Sequence, residues 1–213
     1  LFSDIEGFTP VAERLGPEAL IAWLELYLER MVAIVAEERG LVLRFIGDAL
    51  LAVYGVPVAR TREEDITADA RAAARTALRM VAAVEALNQE LAERGLPAIG
   101  LRIGIHTGPL VAGSLGGAAH LEYSLVGDTA NTAARLEALG KQFRGSRAGT
   151  ILLGKPTARR LNGAFRSQPV GEIVLKGKSQ KVEVYELLDE AAATTRADPR
   201  SDETSLAESR GTR

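Results

Sequence analysis

Two aspartates, each at the end of a short apolar run, are the residues of this chain best placed to do chemistry. Asp4 stands in LFSDIEGFTP, where the run breaks at Gly7, and Asp48 stands in RFIGDALLAVYG, next to Gly47. A strand that ends in a glycine-containing turn presents its carboxylate beside backbone amides able to face phosphate oxygens. Two such aspartates with a backbone carbonyl between them form a hard oxygen site, suited to Mg²⁺ or Mn²⁺ that keeps positions open for substrate phosphates. Each segment alone also fits ordinary turn or helix-cap chemistry, because aspartate is favoured in both. A third segment weighs against that plainer reading. In LEYSLVGDTANTAARLEAL, at 121–139, a strand ends at Gly127-Asp128 and a helix opens with Asn131 and Arg135 four residues apart. That spacing sets an amide and a guanidinium on one helical face, where they can meet an anion.

Periodicity indicates the elements that must position these groups. Residues 1–5 read as a strand. Pro17 to Glu38 reads as a helix with Leu20, Leu24, Tyr27, Leu28, Met31 and Val35 as its apolar stripe, stopped at Gly40. A hairpin over 41–54 carries Gly47-Asp48 near its tip. A long alanine-rich helix follows from Glu63 to Arg94, with Gly95 as its stop. Residues 99–107 alternate as a strand, and 109–115 with 121–126 supply two more around a glycine-rich bend. The helix from Thr129 to Gly140 is followed by a strand at 150–153, a helix at 155–162 and a closing strand pair, 170–175 and 182–188, across Gly177. This order gives an α/β (α+β) sandwich, helices covering a mixed and largely antiparallel sheet.

Composition narrows the function classes. With 213 residues and 46% hydrophobic content, the chain can bury one good core. A net charge of −2 and the lack of a basic stripe interleaved with aromatics argue against a nucleic-acid partner. The absence of cysteine excludes disulfides and thiolate metal sites, in keeping with a cytoplasmic address. Apolar runs such as MVAIVA at 31–36 are far too short to span a bilayer, so no membrane contact is expected of this portion. His106 and His120 are the only histidines and stand in different contexts, which argues for structural roles. Leu1 opens in mid-strand without an initiator methionine, so an upstream regulatory or sensor domain is an expectation. The stretch from Ala191 lacks aliphatic periodicity and reads as a disordered tail.

FSDIEGFT, FIGDALLAVYG, LRIGIHTGPLVAGSLG, YSLVGDTANTAARLE and VLKGK occur in this order between Leu1 and about Leu188. With that ordered set the chain resembles the catalytic domain of the class III nucleotidyl cyclases, the adenylate and guanylate cyclases. The resemblance implies the ferredoxin-like cyclase fold, a catalytic domain over 1–189 and a tail over 190–213. It also implies a reaction in which the ribose 3′-hydroxyl of a nucleoside triphosphate attacks the α-phosphorus and pyrophosphate leaves. No protein nucleophile is needed for that, so the lack of a Ser-His-Asp set is no objection.

By the same resemblance, Asp4 and Asp48 would bridge two Mg²⁺ or Mn²⁺ ions, with the carbonyl of Ile5 completing the second. The amides of Gly7, Phe8 and Thr9 would hold the terminal phosphates. Asn131 would orient the ribose, Arg135 would stabilise charge on the α-phosphoryl oxygens, and Lys176 would bind the leaving pyrophosphate, a role its neighbour Lys178 could share. The family's shared-site arrangement implies a homodimer, the aspartates coming from one protomer and the base pocket, asparagine, arginine and lysine from the other. At the base, adenylate cyclases usually carry lysine at the position of Arg44 and aspartate or threonine at that of Ser124, whereas guanylate cyclases carry glutamate and often cysteine. Arginine only donates hydrogen bonds, so Arg44 suits the ring-nitrogen acceptor of adenine, and Ser124 can accept from its amino group. The pocket leans to ATP, with cyclic AMP as product. Arginine is longer and planar, and the chain is richer in arginine than lysine, so a neutral replacement of lysine also accounts for Arg44. A guanylate cyclase, and a nucleotide-binding regulatory module without turnover, are the alternatives.

Overall fold

Alternation along the strands decides which groups meet which helix. The computed structural model describes residues 1–117, 120–143, 148–177 and 180–191. Its strands are β1 (Phe2–Glu6), β2 (Leu41–Ile46), β3 (Ala49–Val53), β4 (Gly100–Ile105), β5 (Val111–Gly117), β6 (His120–Val126), β7 (Gly149–Gly154), β8 (Phe165–Val174) and β9 (Lys181–Glu190). Its α-helices are α1 (Phe8–Arg14), α2 (Pro17–Glu37), α3 (Glu63–Glu93), α4 (Asp128–Leu139) and α5 (Lys155–Leu161). Seven strands form one sheet in the order β2-β3-β1-β4-β7-β9-β8, and β5 with β6 forms a separate two-stranded arm. Within the large sheet β4 and β7 run parallel and the other neighbours antiparallel. A parallel pair needs a crossover, and the arm and α4 supply it.

Odd-numbered Leu101, Ile103 and Ile105 of β4 enter the larger core, with Ile5 of β1, Ile151 and Leu153 of β7, and the apolar stripes of α2 and α3. The even-numbered face meets α4, where Leu136 and Leu139 pack on Leu152 and Val184. Asp4 and Arg102 sit opposite each other in register on that second face. On α2 the fully buried residues are Trp23, Tyr27, Met31 and Val35, while Leu20, Leu24 and Leu28 lie partly buried beside them. Trp23 can be buried because its indole N–H donates to the carbonyl of Pro97 at 2.9 Å. Among the described residues, no helix is long and apolar enough to cross a membrane.

Three boundaries differ from the sequence expectation, each for a physical reason. α1 was not anticipated: it has seven residues, too few for a helical period to stand out, and Phe8 and Val11 on it pack only partly buried against the core. Pro10 falls in its first turn, where a missing N–H costs nothing. β8 starts at Phe165, five residues before the expected strand, and contains Pro169. It lies at the sheet edge, and its register shifts between Pro169 and Gly171, the setting in which a strand tolerates proline. β9 continues through Glu190, and the Ala191 amide donates to Ala164. Its charged end is held by ion pairs of Asp189 with Arg166 and of Glu190 with Arg75, so Glu190, expected in the tail, is the last residue of β9. Residues 192–213 lie outside the described residues, as does Lys178.

The seat of α4 depends on Gly104. A Cβ there would stand 2.1 Å from the carbonyl oxygen of Ala133 and 2.4 Å from the amide nitrogen of Glu137, both backbone atoms of the helix. Backbone cannot swing aside as a side chain can, so Gly104→Ala must lift α4 from the sheet. The expected loss is about 1–3 kcal/mol, read as a lower urea midpoint at unchanged slope. A midpoint equal to that of the wild type would contradict this packing.

Candidate active site

Gly7 turns the chain from β1 into α1 with φ 70° and ψ 29°, a left-handed conformation that residues with a Cβ seldom adopt. The turn leaves Asp4 and Ile5 at the end of β1 and brings Phe8 and Thr9 into the first turn of α1, where amides have no intrahelical acceptor. Gly47, φ 64°, does similar work between β2 and β3: Ile46 pairs with Ala49, so Gly47-Asp48 is a two-residue hairpin turn. This turn reaches back to β1. The Ile5 amide donates to Oδ2 of Asp48 at 3.2 Å, and the carboxyl groups of Asp48 and Asp4 approach within hydrogen-bonding reach.

That approach has an electrostatic consequence. Burial, then the hydrogen bond and charge of Asp4, push the Asp48 carboxyl up to about 6. Arg102 meets the charge from the other side. It is buried, its Nη2 is bonded to Asp4, and its Nε donates to Glu137 at 2.8 Å. Burial raises the Glu137 carboxyl, and the Arg102 hydrogen bond pulls it back. Two hard carboxylates in partial repulsion, with the backbone of Ile5 between them, could hold divalent cations. Among the described residues no three His, Cys, Asp or Glu side chains cluster as a metal cage, so such ions would complete their coordination with substrate oxygens and water.

Asn131 and Arg135 occupy the side of α4 turned away from the sheet. Ala133 and Glu137 lie over Gly104, and Arg135 is two residues from each, about 200° around the helix. Asn131 is exposed. Among the described residues Arg135 makes only a loose ion pair, with Asp128 at 3.9 Å, and its Nη2 would stand 3.6 Å from a Cβ at Gly177. The guanidinium therefore stands over the turn that presents the exposed Lys176. His106 instead packs against Gly154, on β7, while the side chain of His120 lies outside the described ones.

At the base position, the register shift between Val42 and Arg44 turns Arg44 toward the β5-β6 arm. Its Nη2 donates to Ser124 Oγ at 3.4 Å and to Glu122 Oε1 at 2.5 Å. The predicted residues thus form three groups: Asp4, Ile5 and Asp48 beside Gly7, Phe8 and Thr9; Arg44 with Ser124; and Asn131 and Arg135 beside Lys176. Sequence reasoning missed Arg102, Glu137 and Glu122. The available signals were an arginine inside an otherwise apolar strand for Arg102 and the two-residue spacing to Ser124 for Glu122.

The family profile described as the adenylate and guanylate cyclase catalytic domain matches residues 1–189. The chain is 34% identical over 188 residues to Adenylate cyclase 1 of Rhizobium meliloti, covering 88% of this chain and 27% of that protein. Against guanylate cyclase soluble subunit beta-2 of Rattus norvegicus the identity is also 34%, over 197 residues, covering 91% and 26%. The crystal structure of the adenylyl cyclase CyaB from P. aeruginosa matches with a TM-score of 0.78 at 28% identity, covering 89% of this chain and 92% of that one. The chain spans only a minor part of the length of both curated relatives.

The Asp4–Asp48 repulsion is measurable as stability. The folded Asp48 carboxyl titrates near 6, above its unfolded value near 4, so between these pH values the folded state holds more protons and stability falls as pH rises. Above 6 the penalty is fully present. Asp48→Asn keeps an acceptor for the Ile5 amide and removes one charge, so at pH 7 without divalent cations it should raise stability by about 1–2 kcal/mol after allowance for solvent screening. The gain should shrink toward pH 4. Equal thermal midpoints of wild type and variant at pH 7 in a chelator would dismiss the repulsion.

Proposed function

Since the chain belongs to the adenylate and guanylate cyclase catalytic domain family, we propose that it converts ATP to 3′,5′-cyclic AMP and pyrophosphate at a site shared by two copies. The observation that carries this reading is the division of α4. Its sheet-facing side reaches Asp4 through Glu137 and Arg102, which bonds both carboxylates, while Asn131 and Arg135 face the other way. One chain therefore offers two half-sites that point apart, and a second copy related by a two-fold axis would complete both. Phe45 and Ile46 on β2, with Leu115 and Val126 on the arm, are about half exposed beside these groups, and a partner would cover them.

Asp4, Asp48 and the Ile5 carbonyl would hold two Mg²⁺ or Mn²⁺ ions, which when bound lower the pKa of the ribose hydroxyl and neutralise phosphate charge. The Gly7, Phe8 and Thr9 amides would receive the β- and γ-phosphate oxygens. From the partner, Asn131 would hold the ribose in line for attack, and Arg135 would meet the charge growing on the α-phosphoryl oxygens. An electrostatic donor of that kind contributes ~3–4 kcal/mol, so Arg135→Ala should lower kcat about 10²- to 10³-fold. Lys176, exposed on a turn beside Arg135, suits the departing pyrophosphate as a compact point charge. Arg44 donating to the ring nitrogen and Ser124 accepting from the amino group would seat adenine. A module without turnover is the weaker reading, because each residue the reaction asks for is present.

Complementation tests the shared site. With Mn²⁺ and ATP the Asp4→Ala chain should be inactive alone and the Arg135→Ala chain reduced about 10²- to 10³-fold, and mixing them should raise cyclic AMP formation well above either, because a mixed dimer retains one intact site. Specific activity should also fall on dilution below the dimer dissociation constant. A mixture no more active than the Arg135→Ala chain, although a tagged pull-down proves subunit exchange, would end the shared-site reading. Near-wild-type activity in the purified Asp4→Ala chain would end the metal assignment.

A further inference from the structure

Arg44 is tied to a carboxylate whose capacity is not used up. Nη2 of Arg44 bonds both Glu122 and Ser124. These two stand two apart on β6 and share a face of the arm. A guanidinium carries five N–H donors and a carboxylate about four acceptor sites. Among the described residues, Nη1 of Arg44 and Oε2 of Glu122 make no hydrogen bond, and the side chains are 35% and 51% exposed. The pocket therefore keeps a free donor edge and a free anionic acceptor edge side by side.

The two purines read such an edge differently. Adenine presents an amino donor beside a ring-nitrogen acceptor, which Ser124 and Arg44 can satisfy between them. Guanine presents a carbonyl acceptor beside a ring N–H and an amino group, so it needs one donor and an acceptor able to take two N–H bonds. Arg44 alone cannot do that, but Arg44 with the second oxygen of Glu122 can. Leaving such N–H groups without acceptors is how a buried pocket rejects the wrong base. We propose that Glu122 is a specificity-determining residue that opens this pocket to GTP as a second substrate alongside ATP. The inference rests on the purine-triphosphate reading of the site given above.

The test compares wild type, Glu122→Gln and Glu122→Asp, all as the full chain with Mn²⁺. In Glu122→Gln the amide can keep its oxygen toward Arg44, and it then turns N–H donors toward the base, repelling guanine. Wild type should cyclise both ATP and GTP, and the ratio of kcat/KM for GTP to that for ATP should fall about tenfold or more in Glu122→Gln, the effect of one lost charge-assisted hydrogen bond. Glu122→Asp, which restores the charge, should recover part of the ratio. Equilibrium binding of 3′-deoxy-ATP and 3′-deoxy-GTP, which lack the attacking hydroxyl, reads the same discrimination without turnover. Selective loss of 3′-deoxy-GTP binding in Glu122→Gln supports the role of Glu122 even if neither triphosphate is cyclised, a result that would sink only the cyclase reading. Wild type that binds 3′-deoxy-ATP but not 3′-deoxy-GTP, or a Gln variant whose ratio does not change, overturns the inference and leaves the cyclase reading standing. Binding of neither analogue overturns both.

Discussion

A buried guanidinium holds the carboxylate end of this molecule together. Arg102 lies on β4 between Asp4 of β1 and Glu137 of α4 and bonds to both. A buried arginine with a single carboxylate would leave donors unsatisfied, and two facing carboxylates without a cation would repel each other through a low-dielectric interior. With all three in place, Asp4 can be kept on the sheet face that its proposed role asks for. Removing one partner from a buried set of this kind commonly costs about 3–5 kcal/mol, because the others are stranded without compensation. The same contact seats α4, whose backbone already lies against Gly104.

The tension left over is concentrated at Asp48. Its amide partner, Ile5, and the turn at Gly47 hold its carboxyl toward Asp4, and burial first, then the neighbouring Asp4, gives the raised titration described above. A fold selected for stability alone would have an apolar or amide group there. The arrangement favours a ligand that brings positive charge, so that the repulsion destabilising the free protein becomes attraction on binding. Stability and the proposed function are set against each other at this one turn, while the core of α2, α3 and the sheet is mainly apolar, with Ser3 and Thr76 buried beside it.

Helix α4 explains why one chain is insufficient for the proposed chemistry. A helix can serve two sites only by using two faces, and residues two apart fall on opposite sides. Glu137 works inward while Arg135 and Asn131 work outward. Arg135 is joined by Lys176 because the β8–β9 turn runs beside it, a turn that links edge strand β8 to its inner neighbour β9.

The sequence by itself determined the elements with strong periodicity and the residues at the ends of strands. Pro17–Glu37 and Glu63–Glu93 carry long apolar stripes, and Asp4 and Asp48 stand beside glycines that only a turn would use, so local pattern was enough for both. The family's motifs then supplied the roles of Asn131, Arg135 and Lys176, which their spacing alone could not. Short or irregular pieces were not legible: α1 is only seven residues long, and the first half of β8 is strand only because β9 pairs with it across a register shift at its proline. What only the tertiary structure decided is the company each charged group keeps. Arg102 and Glu137 are 35 residues apart, Arg44 and Glu122 are 78 apart, and nothing local to either sequence segment names its partner. Ion pairs are made by strand register and helix seating, which are long-range outcomes of packing, so Arg44 read alone is a plain donor and in the folded chain stands beside a carboxylate.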